Sequence, residues 1–307
     1  MDDINILIDD LLKRLIKQKV TDLHFDISEA RQCMILRRHK MNLRKEVLSS
    51  YEVYEMLKYM AGLDLLQTNL PQTGHFTYII AKKTYYFRLA VMETPLRKSA
   101  VLRVLNLNPI ADLQDCVQDE KVYQKLLRLG RFRNGIILFC GATGSGKSTT
   151  MHHFLKHYED KQIYTLESPI EIYDEQLVQI ETSKSLDFNQ ALAQLLRHDP
   201  DLIALGEIRF EHELKALLRA GLSGHAVCST LHAGKIEDVI SRLCDLNAHP
   251  YDLMHGLKAV IFQELTLDKE GRTHVKYKIQ SGKILQRKIS EAAKRTVVDL
   301  SRSEDTL

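Results

Sequence analysis

The sequence predicts an α/β fold with a parallel β-sheet in its larger part, preceded by a smaller α+β domain. The first observation is that strand-like and helix-like segments alternate from about residue 120 onward, which is typical of a parallel sheet covered by helices. The second is an apolar run at 136–140 that leads directly into the glycine-rich stretch 141–148. The third is the length of 307 residues, which leaves room for about two domains that each bury a core.

The first part of the chain combines two amphipathic helices with several β-prone runs. Apolar residues recur at spacings of three and four over 4–17, which predicts a helix, and a second helix is expected near 51–61. We expect the first helix to dock on its own domain rather than on a membrane, because Asp9 and Asp10 stand on its polar face. The β-prone runs lie near 32–38, 74–80, 85–92 and 100–106. Together these segments predict an α+β domain over 1–107.

The second domain follows a predicted linker. Residues 108–119 lose periodicity and carry Pro109, and the α/β domain then occupies 120–285. Its strands are predicted near 135–140, 162–167, 202–206 and 226–230, and its helices near 120–129, 188–198, 211–220 and 235–246, besides the helix that follows the glycine-rich stretch. The last residues, 286–307, are charged and weakly periodic, and we expect either a helix or a loose tail there.

The composition limits the function classes. With 44% hydrophobic and 27% charged residues, the chain is an ordinary globular protein, and its net charge of +3 gives no electrostatic case for direct nucleic-acid binding. The acidic start, Met1–Asp3, lacks the features of a secretory signal, and no window reaches the roughly 18 to 20 apolar residues of a membrane span. We therefore expect a cytoplasmic protein.

The five cysteines lie far apart and form no C-x-x-C pair. This spacing argues against a zinc knuckle or a disulfide framework, and it fits a reducing compartment. Cys140 and Cys228 stand in apolar strand-like runs, where a free cysteine usually behaves as a small core residue.

The stretch Gly141–Ser148 matches G-x-x-x-x-G-K-[ST] at every fixed position and follows a β-prone run, which is the context that this motif requires. Glycines let successive N–H groups turn toward phosphate oxygens, and the following helix adds its positive end. Lys147 can reach the β- and γ-phosphates, and Ser148 offers a hydroxyl to Mg²⁺. The alternative is a glycine-rich turn that binds nothing. The predicted nucleotide-binding residues are Gly141, Ala142, Thr143, Gly144, Ser145, Gly146, Lys147, Ser148 and Thr149.

Two apolar strands of this domain end in a glutamate. Glu207 follows the run 202–205, and Glu167 follows 162–166 with Glu171 four residues on. Ligands of open parallel sheets bind at the carboxyl ends of the strands, so both acids would emerge beside the phosphate loop. Glu207 could hold Mg²⁺ through water or polarise the attacking water, and Glu167 could orient that water as a general base. The alternative for both is a solvated surface acid.

Two histidines bracket another apolar strand, His225 before it and His232 at its end. In a nucleotide domain such a pair could sense the γ-phosphate or link it to movement. A histidine is more often structural, and a metal site would need a third ligand that the sequence does not suggest.

Four blocks in order resemble the secretion traffic ATPases, the family that serves type II secretion, type IV pili and DNA uptake. They are the phosphate loop GATGSGKSTT (141–150), the acidic box TLESPIE (165–171), the metal-binding strand LLRHDPDLIALGEIR (195–209) and the histidine box GLSGHAVCSTLHA (221–233). In the first domain, VTDLHFD (20–26) is similar to a further segment of the family, and Arg88, Pro95 and Arg103 fall where its arginine-bearing strands lie.

The resemblance implies a RecA-like P-loop NTPase domain after a PAS-like α+β domain. It also implies a homo-hexamer that binds ATP and Mg²⁺ between the two domains, with Arg88 and Arg103 approaching the phosphates. For these arginines, exposed strand residues remain the alternative. A polytopic inner-membrane platform protein would be the partner, which would hold the ring at the inner face of the membrane. The expected catalytic set is Lys147, Glu167, Glu207, His225, His232, Arg88 and Arg103, with Ser148 and Glu207 on the metal.

The sequence also departs from the family pattern. Ser168 stands where the acidic box usually has Asp, and Gln263–Leu265 replaces the usual arginine-rich segment. The four-cysteine metal element is missing, since no cysteine follows Cys244. Such a short chain most resembles the competence ATPases of Gram-positive bacteria, which implies assembly of a DNA-uptake pseudopilus. A retraction motor, an ATP-sensing regulator with little turnover and a nucleic-acid motor are the alternatives.

Overall fold

The computed structural model describes residues 2–38, 41–48, 50–67, 69–105, 107, 112–158, 160–182, 186–267 and 273–304. The chain divides into two compact units, Met1–Pro109 and Ile110–Leu307. Of the predicted linker, 108–111 lies outside the described residues, and Leu113–Cys116 forms a short helix. Among the described helices, none is both long enough and apolar enough to cross a membrane.

The first unit is an antiparallel sheet with two helices. Its elements are α1 (Asp2–Lys17), β1 (Asp22–Ser28), β2 (Arg31–Arg38), β3 (Met41–Val47), α2 (Tyr51–Met60), β4 (Gln72–Ile80), β5 (Lys83–Glu93) and β6 (Lys98–Val104), and the strand order is β3-β2-β1-β6-β5-β4. Strand β1 alternates buried and half-buried residues, because one sheet face packs on the helices. Leu12 and Leu15 of α1 join Leu23 and Phe25 in this core, so the first helix docks on its own domain as expected.

The second unit is a seven-stranded, mostly parallel sheet covered by helices on both faces. Its elements are α3 (Leu113–Cys116), α4 (Glu120–Leu129), β7 (Gly135–Gly141), α5 (Lys147–Lys156), β8 (Ile163–Glu167), β9 (Val178–Glu181), α6 (Phe188–Leu195), β10 (Leu202–Ile208), α7 (Glu211–Leu222), β11 (Ala226–His232), α8 (Asp238–Asp245), α9 (Pro250–Gly256), β12 (Leu257–Leu267), β13 (Thr273–Ser281) and α10 (Gly282–Glu304), with a 3-10 turn at Leu196–His198. The strand order is β13-β12-β7-β11-β10-β8-β9, and β12 pairs with β13 antiparallel.

Two hydrophobic clusters cover the two faces of this sheet. Ile136 and Leu138 belong to one cluster, and Ile137 and Phe139 belong to the other. All seven residues of β7 are therefore buried, which explains why that strand reads as an unbroken apolar run. The predicted α/β fold with a smaller α+β domain before it is confirmed.

Several elements escape the sequence analysis. Strand β3 is mostly exposed and carries charged residues, and β9 has four residues, so neither has a clear apolar period. Strands β12 and β13 complete the sheet beyond β7. Helix α10 begins at Gly282 and so crosses the predicted boundary at 285, because Leu285 and Ile289, four residues apart, are buried in the sheet's core.

Candidate functional site

The phosphate loop connects the carboxyl end of β7 to helix α5. Gly141, Gly144 and Gly146 have φ angles of +153°, +78° and +88°, a region that other residues rarely adopt. A side chain at Gly141 would come within 2.3 Å of the Gln263 carbonyl oxygen, whereas one at Gly144 would meet nothing within 4 Å. Helix α5 begins at Lys147 with no side chain bonded to its first N–H groups. These groups are therefore free of a side-chain cap and can bind an anion.

Lys147 is held inside this loop. Its Nζ donates a hydrogen bond to the Ala142 carbonyl oxygen at 3.1 Å, and the same oxygen accepts from the Ser145 N–H at 3.2 Å. Burial lowers the pKa of Lys147, and the negative charge of Glu207 opposes that shift. A buried ammonium bonded to a neutral carbonyl is poised to bind a phosphate, so the loop fits the phosphates of a nucleotide.

Glu207 lies at the end of β10, two strands away from β7. A bulge at Gly206 interrupts the register between β10 and β11, and the Gly206 carbonyl accepts a hydrogen bond from Thr230 Oγ1 at 3.0 Å. Arg209 holds one oxygen of Glu207 with both Nε and Nη2, at 2.7 and 2.6 Å from Oε2. Arg209 is not among the residues predicted for the site, although it stands two residues after Glu207, and residues at that spacing in an extended chain lie on the same face.

Glu167 ends the next strand, β8, and three hydrogen bonds hold its carboxylate. Thr165 Oγ1 and Gln179 Nε2 donate to Oε1 at 2.7 and 3.2 Å, and the Glu171 N–H donates to Oε2 at 3.3 Å. Burial raises the pKa of Glu167, while these bonds favour the ionised form. A side-chain carbon placed on Gly206 would lie 3.5 Å from Glu167 Cα, so the ends of β10 and β8, which carry Glu207 and Glu167, are neighbours.

The two histidines lie at opposite ends of the central strand β11. His232 pairs in register with Gly141, and its Nδ1 lies 3.4 Å from Thr143 Oγ1. His225 precedes β11, where its carbonyl accepts the Gly135 N–H and its Nδ1 lies 3.1 Å from Ser223 Oγ. The structure brings His232 to the phosphate loop and does not bring His225, because His225 precedes β11 and the six residues 226–231 separate it from His232 at the end of that strand. The histidines therefore do not share a metal site.

The possible metal ligands are few. Ser148 stands in the first turn of α5 and Glu207 at the end of β10, both half-buried. Within the described part of the chain, no group of three or more His, Cys, Asp or Glu residues could hold an ion alone. Mg²⁺ in nucleotide sites takes one or two protein ligands and uses phosphates and water for the rest, so these two residues fit it.

Arg88 and Arg103 belong to the first unit, where they face each other across β5 and β6. Asp22 is opposite Arg103 on β1, and Arg103 Nε donates to its Oδ1 at 2.6 Å. Burial works to raise the pKa of Asp22, but the hydrogen bonds from Arg103 and Thr21, together with nearby positive charge, lower it overall. The pair fixes the Arg103 side chain on the sheet face opposite the helices, and half of that side chain remains accessible.

Comparison with known proteins identifies the family. The sequence matches the family model "Type II/IV secretion system protein" over residues 1–299. It is 32% identical over 269 residues to the type II secretion system protein E of Pectobacterium carotovorum subsp. carotovorum, a match that covers 84% of this chain and 54% of the relative. It is 31% identical over 267 residues to the competence protein ComGA of Halalkalibacterium halodurans, covering 83% of this chain and 76% of that protein. The chain thus spans about half the length of the type II secretion relatives it matches.

Solved structures share the fold. The pilus retraction motor PilT, crystallised with ADP, superposes with a TM-score of 0.73 at 24% identity, over 96% of this chain and 89% of that one. The ATPase DotB of Legionella pneumophila gives a TM-score of 0.72 at 21% identity, over 96% and 88%. The phosphate loop, the acidic strand ends and His232 thus stand on a fold of this kind, and with a family match from residue 1 to 299 the chain belongs to the type II/IV secretion system protein family.

Proposed function

We propose that this chain is an ATP hydrolase that drives assembly of a type IV-like pseudopilus used in DNA uptake or secretion. The observation that carries the proposal is the meeting of the phosphate loop, His232, Glu207 and Glu167 at the carboxyl edge of one parallel sheet. The names of the relatives, a competence protein and type II secretion proteins, support the choice of machine.

The loop residues would bind the nucleotide. The N–H groups of 141–149 and the Lys147 ammonium would contact the β- and γ-phosphates, and Ser148 and Glu207 would hold Mg²⁺, Glu207 through water. Bound there, Mg²⁺ would neutralise phosphate charge and favour attack at the γ-phosphate. Arg209 would keep the Glu207 carboxylate facing that position, since it grips one carboxylate oxygen with two N–H groups.

Glu167 would position the attacking water and accept its proton. A general base must be ionised and fixed in place; the bonds from Thr165, Gln179 and the Glu171 N–H fix the carboxylate and favour its ionised form against the effect of burial. Ser168, next to it, departs from the Asp that the resemblance to the acidic box leads us to expect. Because Glu167 itself is retained, we propose turnover rather than mere ATP sensing. His232, beside Thr143, would respond to the γ-phosphate.

The two domains would act together in a homo-hexamer. Arg88 and Arg103 of the first domain would add positive charge at the transferred phosphate, and loss of that phosphate would release the first domain. A polytopic inner-membrane platform protein would receive the movement, which would place the ring in the cytoplasm at the inner face of the membrane. No nucleic acid would bind directly.

Deletion of the gene tests the proposal. We expect loss of DNA uptake and of surface pseudopili, restored by the wild-type gene and not by Lys147→Ala, whereas Lys121→Ala, an exposed lysine of α4, serves as the matched control. Excess surface filaments in the deletion strain would indicate retraction instead. Normal uptake and normal filaments, or phosphate release by the purified protein that survives Lys147→Ala, would contradict the proposal.

A further inference from the structure

Gln263 is a completely buried polar residue on β12, the strand that flanks β7 on the side away from the acidic strand ends. The proposed chemistry assigns it no role. Its side chain lies directly under the phosphate loop, where Nε2 donates a hydrogen bond to the Ser145 carbonyl oxygen at 2.7 Å. A carbonyl oxygen can only accept, so the amide group that faces it must be the donor.

The backbone around this contact is closely packed. A side-chain carbon at Gly141 would meet the Gln263 carbonyl at 2.3 Å, and one at Gly146 would meet Gln263 Nε2 at 3.3 Å. Tyr277, opposite Gln263 on β13, has its hydroxyl 3.0 Å from Thr150 Oγ1 on α5. The β12–β13 pair therefore contacts both the phosphate loop and α5, the helix that follows it.

This contact fixes the direction of one peptide plane. In a trans peptide the C=O of one residue and the N–H of the next point in opposite directions. With the Ser145 carbonyl directed toward Gln263, the Gly146 N–H is directed away from Gln263. We propose that Gln263 is a positioning residue for nucleotide binding: it holds the Ser145–Gly146 peptide so that the Gly146 N–H donates to the β-phosphate of a nucleoside di- or triphosphate.

The same side chain is poorly suited to a purely structural role. Gln263 Oε1 and Ser145 Oγ are both buried and have no hydrogen-bond partner among the described residues. Burial of these unpaired polar atoms destabilises the folded state and offsets part of what the hydrogen bond to the Ser145 carbonyl contributes to stability. The amide is therefore expected to contribute more to nucleotide binding than to the stability of the fold. This inference rests on the proposed nucleotide binding.

The test separates binding from stability. Gln263→Met keeps the length and removes the donor, and Gln263→Glu keeps the shape and turns an oxygen toward the Ser145 carbonyl. Gln280→Met, on β13, is the matched control. Calorimetric titration with MgADP and with a non-hydrolysable MgATP analogue is run beside thermal unfolding of the nucleotide-free protein. We expect Gln263→Met to bind about three- to tenfold more weakly and Gln263→Glu to bind more weakly still. The Tm of Gln263→Met should stay close to that of wild type, because the loss of the bond to the Ser145 carbonyl and the removal of the unpaired Oε1 offset each other.

Steady-state kinetics adds a second readout. The proposed contact with the β-phosphate is already made in bound ATP, so Gln263→Met should raise the KM for ATP by a larger factor than it lowers kcat. If wild type binds nucleotide and Gln263→Met binds equally well, the inference fails and the proposed function stands. If Gln263→Met fails to fold or has a clearly lower Tm than wild type, Gln263 supports the fold and the inference also fails. If wild type binds no nucleotide, both fail.

Discussion

Gln179 on the edge strand β9 donates a hydrogen bond from Nε2 to Glu167 Oε1, 3.2 Å away at the end of the neighbouring strand β8. The same amide group donates to the Ile172 carbonyl at 2.8 Å, and its Oε1 accepts from the Asp174 N–H at 2.7 Å. Asp174 in turn contacts Lys156 Nζ at 2.9 Å on α5. Glu167, the carboxylate proposed as the base, is thus linked through Gln179 and Asp174 to α5, the helix that follows the phosphate loop.

Replacing Gln179 by Leu should shift the pH dependence of hydrolysis. The Gln179 bond favours ionised Glu167 and so lowers its pKa, and removing the bond should raise that pKa. The acid limb of the kcat profile should therefore move to higher pH. Gln176→Leu, an exposed residue of the same loop, is the control. An unchanged acid limb in Gln179→Leu would mean that Glu167 does not limit the rate in that range.

Glu167→Gln should separate ATP binding from hydrolysis. Without a base, phosphate release should fall by about a hundredfold or more, and the affinity for MgATP should stay within about twofold of wild type. Glu120→Gln changes an exposed acid on α4 and should leave both values unchanged. Equal loss of activity in the two variants would contradict the role given to Glu167.

The positions of the histidines predict different effects of their substitution. His232→Ala removes the ring beside Thr143 and should lower kcat by about tenfold or more, a magnitude typical of a side chain that supports the transition state. His225→Ala changes a residue at the other end of β11, away from the phosphate loop, and should leave kcat within about twofold. Phosphate release by the two purified variants decides this, and a greater loss in His225→Ala would reverse the assignment.

Two arginines of the first domain form a matched pair. Arg103 pairs with Asp22, and Arg97 pairs with Asp26 on the same strand β1 through Nε at 2.7 Å. Arg103→Ala should lower kcat by about tenfold or more if that arginine reaches the transferred phosphate, while Arg97→Ala should not. Both variants lose a similar ion pair, so equal activity would assign Arg103 to the sheet surface alone.

The burial of His152 predicts a loss of stability in mild acid. Burial lowers the pKa of His152 from 6.5 to about 4, and Asp174, at 3.0 Å, only partly opposes this. The unfolded chain takes up the proton at higher pH than the folded one, so stability falls as the pH drops from 6.5 toward 4. The full effect is on the order of 3 kcal/mol. Urea unfolding should show a weaker pH dependence in His152→Gln than in wild type, and an unaltered dependence in His198→Gln, an exposed control.

The sequence is most informative where a single segment decides the structure. Strand β7 is buried on both faces and the loop after it needs glycines, so the strand and the loop can each be predicted from their own residues. Gln179 is not readable in this way, because its partner Glu167 lies on another strand. The same limit applies to His225. Two histidines that flank a strand look equivalent in the sequence, but in the fold they lie at opposite ends of that strand, and only one of them reaches the phosphate loop.

The charged and partly buried elements were harder to predict for a related reason. Strand β3 is exposed along most of its length, and its pairing with β2 is set by backbone hydrogen bonds that leave no apolar pattern. Gln263 stood out only as a departure from the family's arginine-rich segment. Its contact with the Ser145 carbonyl depends on the register of β12 against β7, which no local spacing encodes.

The central place of β7 has a mechanical consequence. The strand is paired in parallel with β11 from Gly135 to Gly141 and with β12 from Ile136 to Cys140. A pull on the phosphate loop along the direction of β7 loads both ladders in shear, so that their hydrogen bonds resist together rather than opening one after another. Force applied at the phosphate loop would therefore move the second unit as a stiff body instead of being absorbed by stretching of β7.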